Sequence, residues 1–297
     1  MSSRAVPTVR ALMESLIDFA GLFPPASLSM TEAVAAFDDY RRGPDAFALG
    51  LFVVPAVRLG EFESCLATRP PSGGEWRLSV IAGGEPVDEI TRFAAKHSGR
   101  VVVEAIEAKV QTVADVERYA MQRGMAGSKT VHYLEVPLDD SVEALVGAMR
   151  PHQGLRAKIR TGGVTAGAFP AAEVIVRFLI ACREHGISFK ATAGLHHPLR
   201  GDYRLTYTAD SDRATMYGYL NVFLAALLLD VGCTTADAVE LLNERDIAAL
   251  RFTDDAVSWR GYRADLNAVT TFRKHATSFG SCSFREPVDE LQTLGLL

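Results

Sequence analysis

The sequence is poor in cysteine and holds no paired cysteine motif. Only four cysteines occur among 297 residues, and none of them lies in a C-x-x-C pair. A zinc ribbon and a dithiol redox motif both need such pairs, so we expect neither. Scattered thiols of this kind are typical of the reducing cytosol, and we therefore expect a cytoplasmic protein with four free thiols.

Long apolar runs and basic clusters are also missing. The longest apolar run, VFLAALLL at residues 222–229, is far shorter than the roughly 20 residues that span a bilayer, so we expect a buried helix and no membrane partner. The first residues hold no unbroken apolar segment with a small-residue cleavage site, so we expect no signal peptide. The net charge of −5, without a Lys/Arg-rich cluster, argues against a nucleic-acid partner.

What the chain does have is an alternation of strand-like and helix-like segments. The strand-like runs are nearly continuous in Val, Ile, Leu and Phe, which is typical of parallel strands buried on both faces. Helix start signals lie between them, such as the capping box from Ser29 to Glu32. Seven repeats of this size predict an α/β fold, a (β/α)8 TIM barrel in one domain over residues 1–297, with a doubly wound open sheet as the alternative. The seven runs occupy residues 16–23, 47–55, 77–82, 100–106, 129–138, 155–161 and 187–195.

The last hundred residues are harder to assign. Residues 216–230 and 236–250 have helical patterns and predict extra C-terminal helices. Two segments, LRFTDDAVSWRG at 250–261 and ATSFGSCSF at 276–284, each qualify as the eighth strand. Residues 196–212, after the seventh strand, lack a strong period, and a loop of 17 residues is usually a lid or a binding loop.

Two lysines fall on the inward faces of the sixth and seventh strands. Alternation places Lys158 in LRAKIR and Lys190 in ISFKAT inside the barrel, on neighbouring strands roughly 5 Å apart. Desolvation and like-charge repulsion each lower the pKa of a lysine, and a neutral lysine attacks carbonyl carbon to form an iminium. The alternative is that each lysine forms a structural ion pair with an inward carboxylate.

Inward carboxylates accompany these lysines. Alternation turns Asp18 of the first strand and Glu135 of the fifth strand into the barrel. Glu104 and Glu107 of the fourth strand are three residues apart, so one of them must face inward. Carboxylates in these positions either pair with the lysines or transfer protons to and from a substrate.

Polar turns follow the sixth and seventh strands, at the end of the barrel where barrel enzymes bind their substrates. Thr161, Gly162 and Gly163 follow the sixth strand, and Gly194 follows the seventh. Glycine lets backbone N–H groups approach an anion closely, so these residues predict substrate contacts, with plain βα turns as the alternative.

Two histidines and two serines extend this expected substrate site. His196 and His197 are adjacent, and adjacent side chains on a tight turn point apart, so we expect substrate contacts rather than a metal site. Ser281 and Ser283 precede the last predicted helix, where they either contact an anion or cap the helix. Cys282 between them is expected to be a small packed thiol.

The ordered set of motifs resembles deoxyribose-phosphate aldolase and its class I aldolase relatives. KIRTG at 158–162 is similar to the family's Schiff-base strand K-T-S-T-G, and KATAG at 190–194 is similar to its next strand, K-A-S-G-G. Looser similarities relate residues 17–24 to I-D-H-T-L-L-K-P, residues 51–55 to V-C-V-x-P, and residues 102–106 to E-I-D-M-V. The resemblance covers about the first two-thirds of the chain.

The resemblance implies a (β/α)8 fold in which Lys158 forms the iminium, Lys190 lowers its pKa, and Glu104 is the acid–base carboxylate. The chain departs from the family at Arg160 and at residues 193–197, which replace the family's serine and phosphate turn. Arginine binds carboxylate and phosphate bidentately. Arg160, Arg200 and His196 therefore predict a different substrate, a small anionic carbonyl compound.

These observations predict a class I aldolase-like lyase that acts on a small molecule without a cofactor and leave a homo-oligomer possible. Its expected catalytic residues are Lys158, Lys190, Glu104 and Asp18. One alternative is a metal-dependent enzyme, in which Glu104, Glu135 and the histidines hold a divalent ion for enolisation or hydrolysis. The other is a barrel that binds a sugar or an acid without catalysis.

Overall fold

Eight parallel strands close into a barrel in the computed structural model, which describes residues 6–69, 74–84, 86–126 and 130–297. The first seven are β1 (Ile17–Phe19), β2 (Leu49–Pro55), β3 (Trp76–Ile81), β4 (Val101–Lys109), β5 (Val131–Glu135), β6 (Leu155–Arg160) and β7 (Phe189–Thr192). Five short strands follow, β8 (Gly201–Arg204), β9 (Arg213–Met216), β10 (Leu250–Phe252), β11 (Ala256–Trp259) and β12 (Tyr262–Asp265), and then the eighth barrel strand, β13 (Ala276–Ser281). Because β13 pairs with both β7 and β1, the barrel is closed and the open-sheet alternative is wrong.

Helices cover the outside of the barrel. Eight of them belong to the repeats or precede the first strand: α1 (Pro7–Met13), α2 (Met30–Tyr40), α3 (Leu59–Ala67), α4 (Val87–Lys96), α5 (Val113–Ala126), α6 (Val142–Met149), α7 (Ala172–His185) and α8 (Tyr219–Asp230). The C-terminal additions are α9 (Thr235–Asn243), α10 (Leu266–Phe272) and, after the last barrel strand, α11 (Arg285–Thr293). The (β/α)8 prediction with extra C-terminal helices is confirmed.

Local signals explain several helix boundaries. At the start of α2 the Ser29 hydroxyl accepts the Glu32 N–H, and the Glu32 carboxylate accepts the Ser29 N–H, which is the predicted capping box. Helix α7 ends at Gly186, whose φ of 65° lies in the left-handed region that favours glycine. Helix α5 continues to Ala126. The predicted start of the fifth strand, at residue 129, lies outside the described residues.

The run VFLAALLL lies in α8, and every residue from Tyr219 to Leu229 of this helix is buried. A helix that is apolar all round is a core helix of a large fold. It contacts α7, α9 and α10, and it also packs against β13. Within the described ranges, no helix is long and apolar enough to cross a membrane.

The segment after β7 is ordered differently from the prediction. Instead of an irregular loop, β8 and β9 form an antiparallel hairpin in which Tyr203 pairs with Ala214. Both strands, GDYR and RATM, are largely polar and partly exposed, so no apolar run marks them in the sequence. The hairpin lies at the carboxyl-terminal end of the barrel, where it contributes to the wall of a cavity.

Of the two candidates for the eighth barrel strand, ATSFGS is the one that forms it, as β13. The other candidate, LRFTDDAVSWRG, supplies β10 and β11, which join β12 in a separate antiparallel sheet. The helix predicted over 236–250 ends early, at Asn243. There the Glu244 carboxylate accepts the N–H groups of Arg245 and Asp246 and draws the chain out of the helix.

Candidate functional site

The two inward lysines meet at one carboxylate, that of Glu107. Lys158 Nζ lies 2.7 Å from Glu107 Oε2, and Lys190 Nζ lies 2.6 Å from Glu107 Oε1. Each lysine has a second carboxylate, Glu135 at 2.7 Å from Lys158 and Asp18 at 2.6 Å from Lys190. These five side chains form a row across the barrel, in the order Glu135, Lys158, Glu107, Lys190, Asp18, which we call the lysine–carboxylate row.

A β-bulge in β4 explains why Glu107, and not Glu104, reaches the lysines. Leu78 pairs with Val103 and Ser79 with Ala105, so Glu104 is the extra residue of the bulge. Arg77 holds Glu104 through two hydrogen bonds of 2.6 and 3.0 Å, toward the amino-terminal end of the barrel. The structure therefore contradicts the placement of Glu104 as the acid–base partner of the lysines, because Glu107 occupies that position.

The charged side chains of the row are buried, and they are paired and hydrogen-bonded. Lys158, Lys190, Glu107 and Asp18 are each no more than 4% exposed. Ser79 donates to Glu107 at 2.6 Å, and Asp18 accepts from the Ser278 hydroxyl and from a backbone N–H, both at 2.8 Å. Buried ionised groups persist only when they are paired and hydrogen-bonded in this way.

The ion pairs reverse the expected titration of Lys190. Burial alone would lower the pKa of Lys190, but the charges of Asp18 and Glu107 outweigh burial and raise the pKa above its usual range. Burial would likewise raise the pKa of Glu107, yet Lys158 and Lys190 hold it far below its usual value. Lys190 therefore remains an ammonium ion at neutral pH, with Glu107 between it and Lys158.

A cavity of about 320 Å³ opens above the row, at the carboxyl-terminal end of the barrel. Lys158, Lys190 and Glu107 line its floor, and the Tyr133 ring lies beneath Lys190, with its centroid 5.3 Å from the ammonium nitrogen. Asp18 does not line this cavity. Its contacts make it the buried anchor of Lys190 rather than a group that meets a ligand directly.

Only part of the predicted substrate site reaches the cavity. Thr161 is buried and donates its hydroxyl to the carbonyl oxygen of Ala193 at 2.8 Å. Gly162 packs against Gly194, since a Cβ at residue 162 would lie 3.0 Å from the Gly194 Cα. This close approach of two strand ends supports the reading of residues 161–162 as a tight turn. The predicted residues that do line the cavity are Arg160, Gly163, Gly194, His196 and His197.

Arg200 and the two serines lie elsewhere. The Arg200 guanidinium stacks on the Tyr217 ring at 4.5 Å, outside the cavity, and Arg204 of β8 lines the cavity instead. The Ser283 hydroxyl accepts the N–H of a first-turn residue of α11 at 3.1 Å, and Ser281 accepts the Ser283 N–H. The structure therefore supports a helix-capping role for these two serines.

His196 belongs to a polar group on the cavity wall. Its Nδ1 lies 3.1 Å from Glu286 Oε2, which also accepts the Tyr207 hydroxyl at 3.0 Å. Cys282 Sγ lies 3.8 Å from the same Nδ1 and 3.4 Å from the Tyr207 hydroxyl. Burial lowers the pKa of His196, but Cys282 and Glu286 outweigh it and raise the pKa to about 10. Sequence reasoning missed this group because its members come from three separate segments.

His197 pairs with a second carboxylate of α11. Its Nδ1 lies 2.7 Å from Glu290 Oε1, and Tyr203 stacks on its ring. Ligand atoms of His197, Glu286 and Glu290 lie within 4.8 Å of one another. The predicted metal set of Glu104, Glu135 and the histidines is not assembled, because Arg77 holds Glu104 and Lys158 holds Glu135.

No protein-family model matches this chain, and no curated protein matches it in sequence. The (β/α)8 barrel is common to aldolases and to many other enzymes, whose active sites lie at the carboxyl-terminal ends of the strands. The cavity and the lysine–carboxylate row lie at that end. Fold and site together define a (β/α)8 barrel with buried lysines beneath a ligand-sized cavity.

Proposed function

We propose that the protein is a lyase of the class I aldolase type, which breaks or forms a carbon–carbon bond through an iminium on Lys158. One observation carries the proposal. Lys158 Nζ lies at the cavity floor, 2.7 Å from Glu107 and 2.7 Å from Glu135. Loss of a proton from the Lys158 ammonium to water leaves an amine that attacks a carbonyl carbon.

The proposed reaction takes place at Lys158, at the floor of the cavity. The Lys158 amine adds to the substrate carbonyl, and loss of water gives the iminium. The adjacent carbon–carbon bond then breaks, its electron pair moves into the iminium to give an enamine, and a carbonyl fragment leaves. Protonation of the enamine and hydrolysis return the lysine and release the second fragment. Water carries the protons, while Glu107 and Glu135 orient Lys158 at the cavity floor.

The cavity favours a small anionic substrate. Arg160, Arg204 and His196 present cationic groups to it, and arginine binds carboxylate and phosphate groups well. A space of about 320 Å³ limits the ligand to a small molecule. In this proposal Arg204 contacts the anionic substrate, a role that the sequence suggested for Arg200.

Borohydride trapping tests the proposal. The protein is incubated with a panel of small aldehydes and ketones that carry a carboxylate or a phosphate, reduced with borohydride, and analysed by mass spectrometry. We expect a stable adduct in the wild type and in Lys274→Leu, which alters an exposed lysine, and none in Lys158→Leu. A panel without any Lys158 adduct, or an unchanged adduct yield in Lys158→Leu, refutes the iminium mechanism.

A non-catalytic barrel that binds a small anion is the second candidate. The ion pairs favour it as well, because each lysine of the row already has two carboxylate partners. In that case an anionic ligand raises the melting temperature of the wild type without forming an adduct. Lys158→Leu would then retain much of the shift, since Arg160 and Arg204 would still contact the ligand.

A further inference from the structure

The cavity wall carries a second set of reactive side chains, separate from the lysine–carboxylate row. Its members are Cys282, His196, Tyr207 and Glu286, and all four line the cavity. Cys282 follows β13, His196 follows β7, Tyr207 follows β8, and Glu286 belongs to α11. We call this set the thiol–imidazole cluster.

In this cluster one imidazole nitrogen, His196 Nδ1, faces both the thiol and a carboxylate. Cys282 Sγ lies 3.8 Å from His196 Nδ1, and this nitrogen lies 3.1 Å from the Glu286 carboxylate. A carboxylate beside an imidazole keeps the imidazole protonated, and a neighbouring imidazolium stabilises a thiolate. The raised pKa of His196 agrees with this arrangement.

The other cysteines lack such partners. Cys182 is buried in the core, and burial raises its pKa well above the usual value. Cys233 is as buried as Cys282, each being 5% exposed, and burial raises its pKa to about 11. Of the four cysteines, all of which lie in the described ranges, Cys282 alone lines the cavity and contacts a histidine.

We propose that Cys282 is a nucleophile for small aldehydes that enter the cavity, with the His196 imidazolium as the group that stabilises its thiolate. The thiol releases its proton to water, the Sγ–C bond forms, and the carbonyl π electrons move to oxygen. The oxyanion then takes a proton from the His196 imidazolium, which recovers one from water, so a thiohemiacetal remains and no further reactant is consumed. The Tyr207 hydroxyl lies 3.4 Å from Sγ and donates its hydrogen bond to Glu286. This chemistry does not depend on an iminium at Lys158.

Alkylation by iodoacetamide tests the activation of the thiol. Mass spectrometry gives the alkylation rate of each cysteine as a function of pH, and Cys233 is the matched control within the same chain. We expect Cys282 to react at least tenfold faster than Cys233 at pH 7, an order-of-magnitude difference. His196→Gln should remove most of this difference, and Glu286→Gln should reduce it, while the half-buried Cys65 keeps its rate. Equal rates for Cys282 and Cys233 in folded wild-type protein overturn the proposal.

Protection by acetaldehyde tests the aldehyde step. We expect acetaldehyde to slow the alkylation of Cys282 reversibly, and to do so in Lys158→Leu as well as in the wild type. Retained protection in Lys158→Leu supports a thiohemiacetal whether or not borohydride trapping succeeds at Lys158. Protection that disappears in Lys158→Leu, or that never occurs, contradicts an addition at Cys282.

Discussion

At the scale of single residues, Glu107 is the group on which the candidate site depends. Its two carboxylate oxygens bind different lysines, and a serine hydroxyl adds a third contact. The alternation of β4 predicted that either Glu104 or Glu107 faces inward, and the family resemblance favoured Glu104. A bulge depends on how β3 and β4 pair in three dimensions, so no local property of VVVEAIEAK could decide between the two.

Glu107→Gln removes the negative charge between two buried ammonium groups. We expect a loss of about 3–5 kcal/mol in the free energy of unfolding, the usual cost of breaking a buried ion pair from one side. Glu104→Gln is the matched control, because Glu104 is partly exposed and pairs with a single arginine, so its loss should stay below about 1 kcal/mol. Urea unfolding at pH 7 measures both values, and similar losses would contradict the assignment of Glu107.

His132 is expected to make the stability of the protein sensitive to acid. It is 1% exposed, and neither ring nitrogen has a hydrogen-bond partner among the residues described. Burial lowers its pKa from 6.5 to about 4, with a smaller contribution from Arg123. The unfolded chain therefore binds a proton at higher pH than the folded chain does, so stability falls as the pH falls from 6.5 toward 4.

His132→Leu should abolish this part of the acid sensitivity. His132 accounts for up to about 3 kcal/mol of the free energy of unfolding that is lost between neutral pH and pH 4. The measurement is the free energy of unfolding in urea as a function of pH for both proteins. Parallel pH profiles for wild type and His132→Leu would show that His132 does not titrate as its surroundings indicate.

At the scale of elements, long apolar segments were predictable and short ones were not. Long apolar runs marked the seven barrel strands, and their order follows from the βα alternation. The strands of the β8–β9 hairpin are short and partly exposed, so no apolar run marks them in the sequence. The segment of β10 and β11 was recognised as strand-forming, but its place outside the barrel depends on pairing in three dimensions. The cavity wall, with Arg204 and Tyr207, depends on that hairpin, so it could not be anticipated.

The hairpin is anchored to the rest of the fold by a buried amide. Asn221 of α8 accepts the Arg200 N–H at 2.8 Å and donates to the carbonyl oxygens of Leu241 and Glu244 at 2.8 and 2.9 Å. Asn221→Leu would leave these buried backbone groups without partners, at a cost of about 3 kcal/mol or more. Asn243→Leu, which alters an exposed amide, should change stability by about 0.5 kcal/mol or less.

Thermal and urea unfolding of the two asparagine variants checks this prediction. If Asn221 anchors the hairpin, hydrogen exchange in residues 200–216 should also accelerate in Asn221→Leu relative to Asn243→Leu. Equal exchange in the two variants would show that the hairpin is held by other contacts.

At the scale of the whole molecule, barrel closure assembles the site. The row takes Asp18 from β1, Glu107 from β4, Glu135 from β5, Lys158 from β6 and Lys190 from β7, which lie on five strands. Alternation found four of these residues, because the inward face of a long strand follows from its pattern. The ion-pair partners of each lysine could not be predicted from alternation, because the network that keeps Lys190 charged exists only after the strands close around it.

The position of the borohydride-reduced adduct decides whether Lys158 forms the iminium. Peptide mass mapping of the trapped protein distinguishes Lys158, which lies between Glu107 and Glu135, from Lys190, which Asp18 and Glu107 hold as an ammonium ion. We predict an adduct on Lys158 and none on Lys190. An adduct on Lys190, or the absence of any adduct across the panel of anionic aldehydes and ketones, would contradict this prediction.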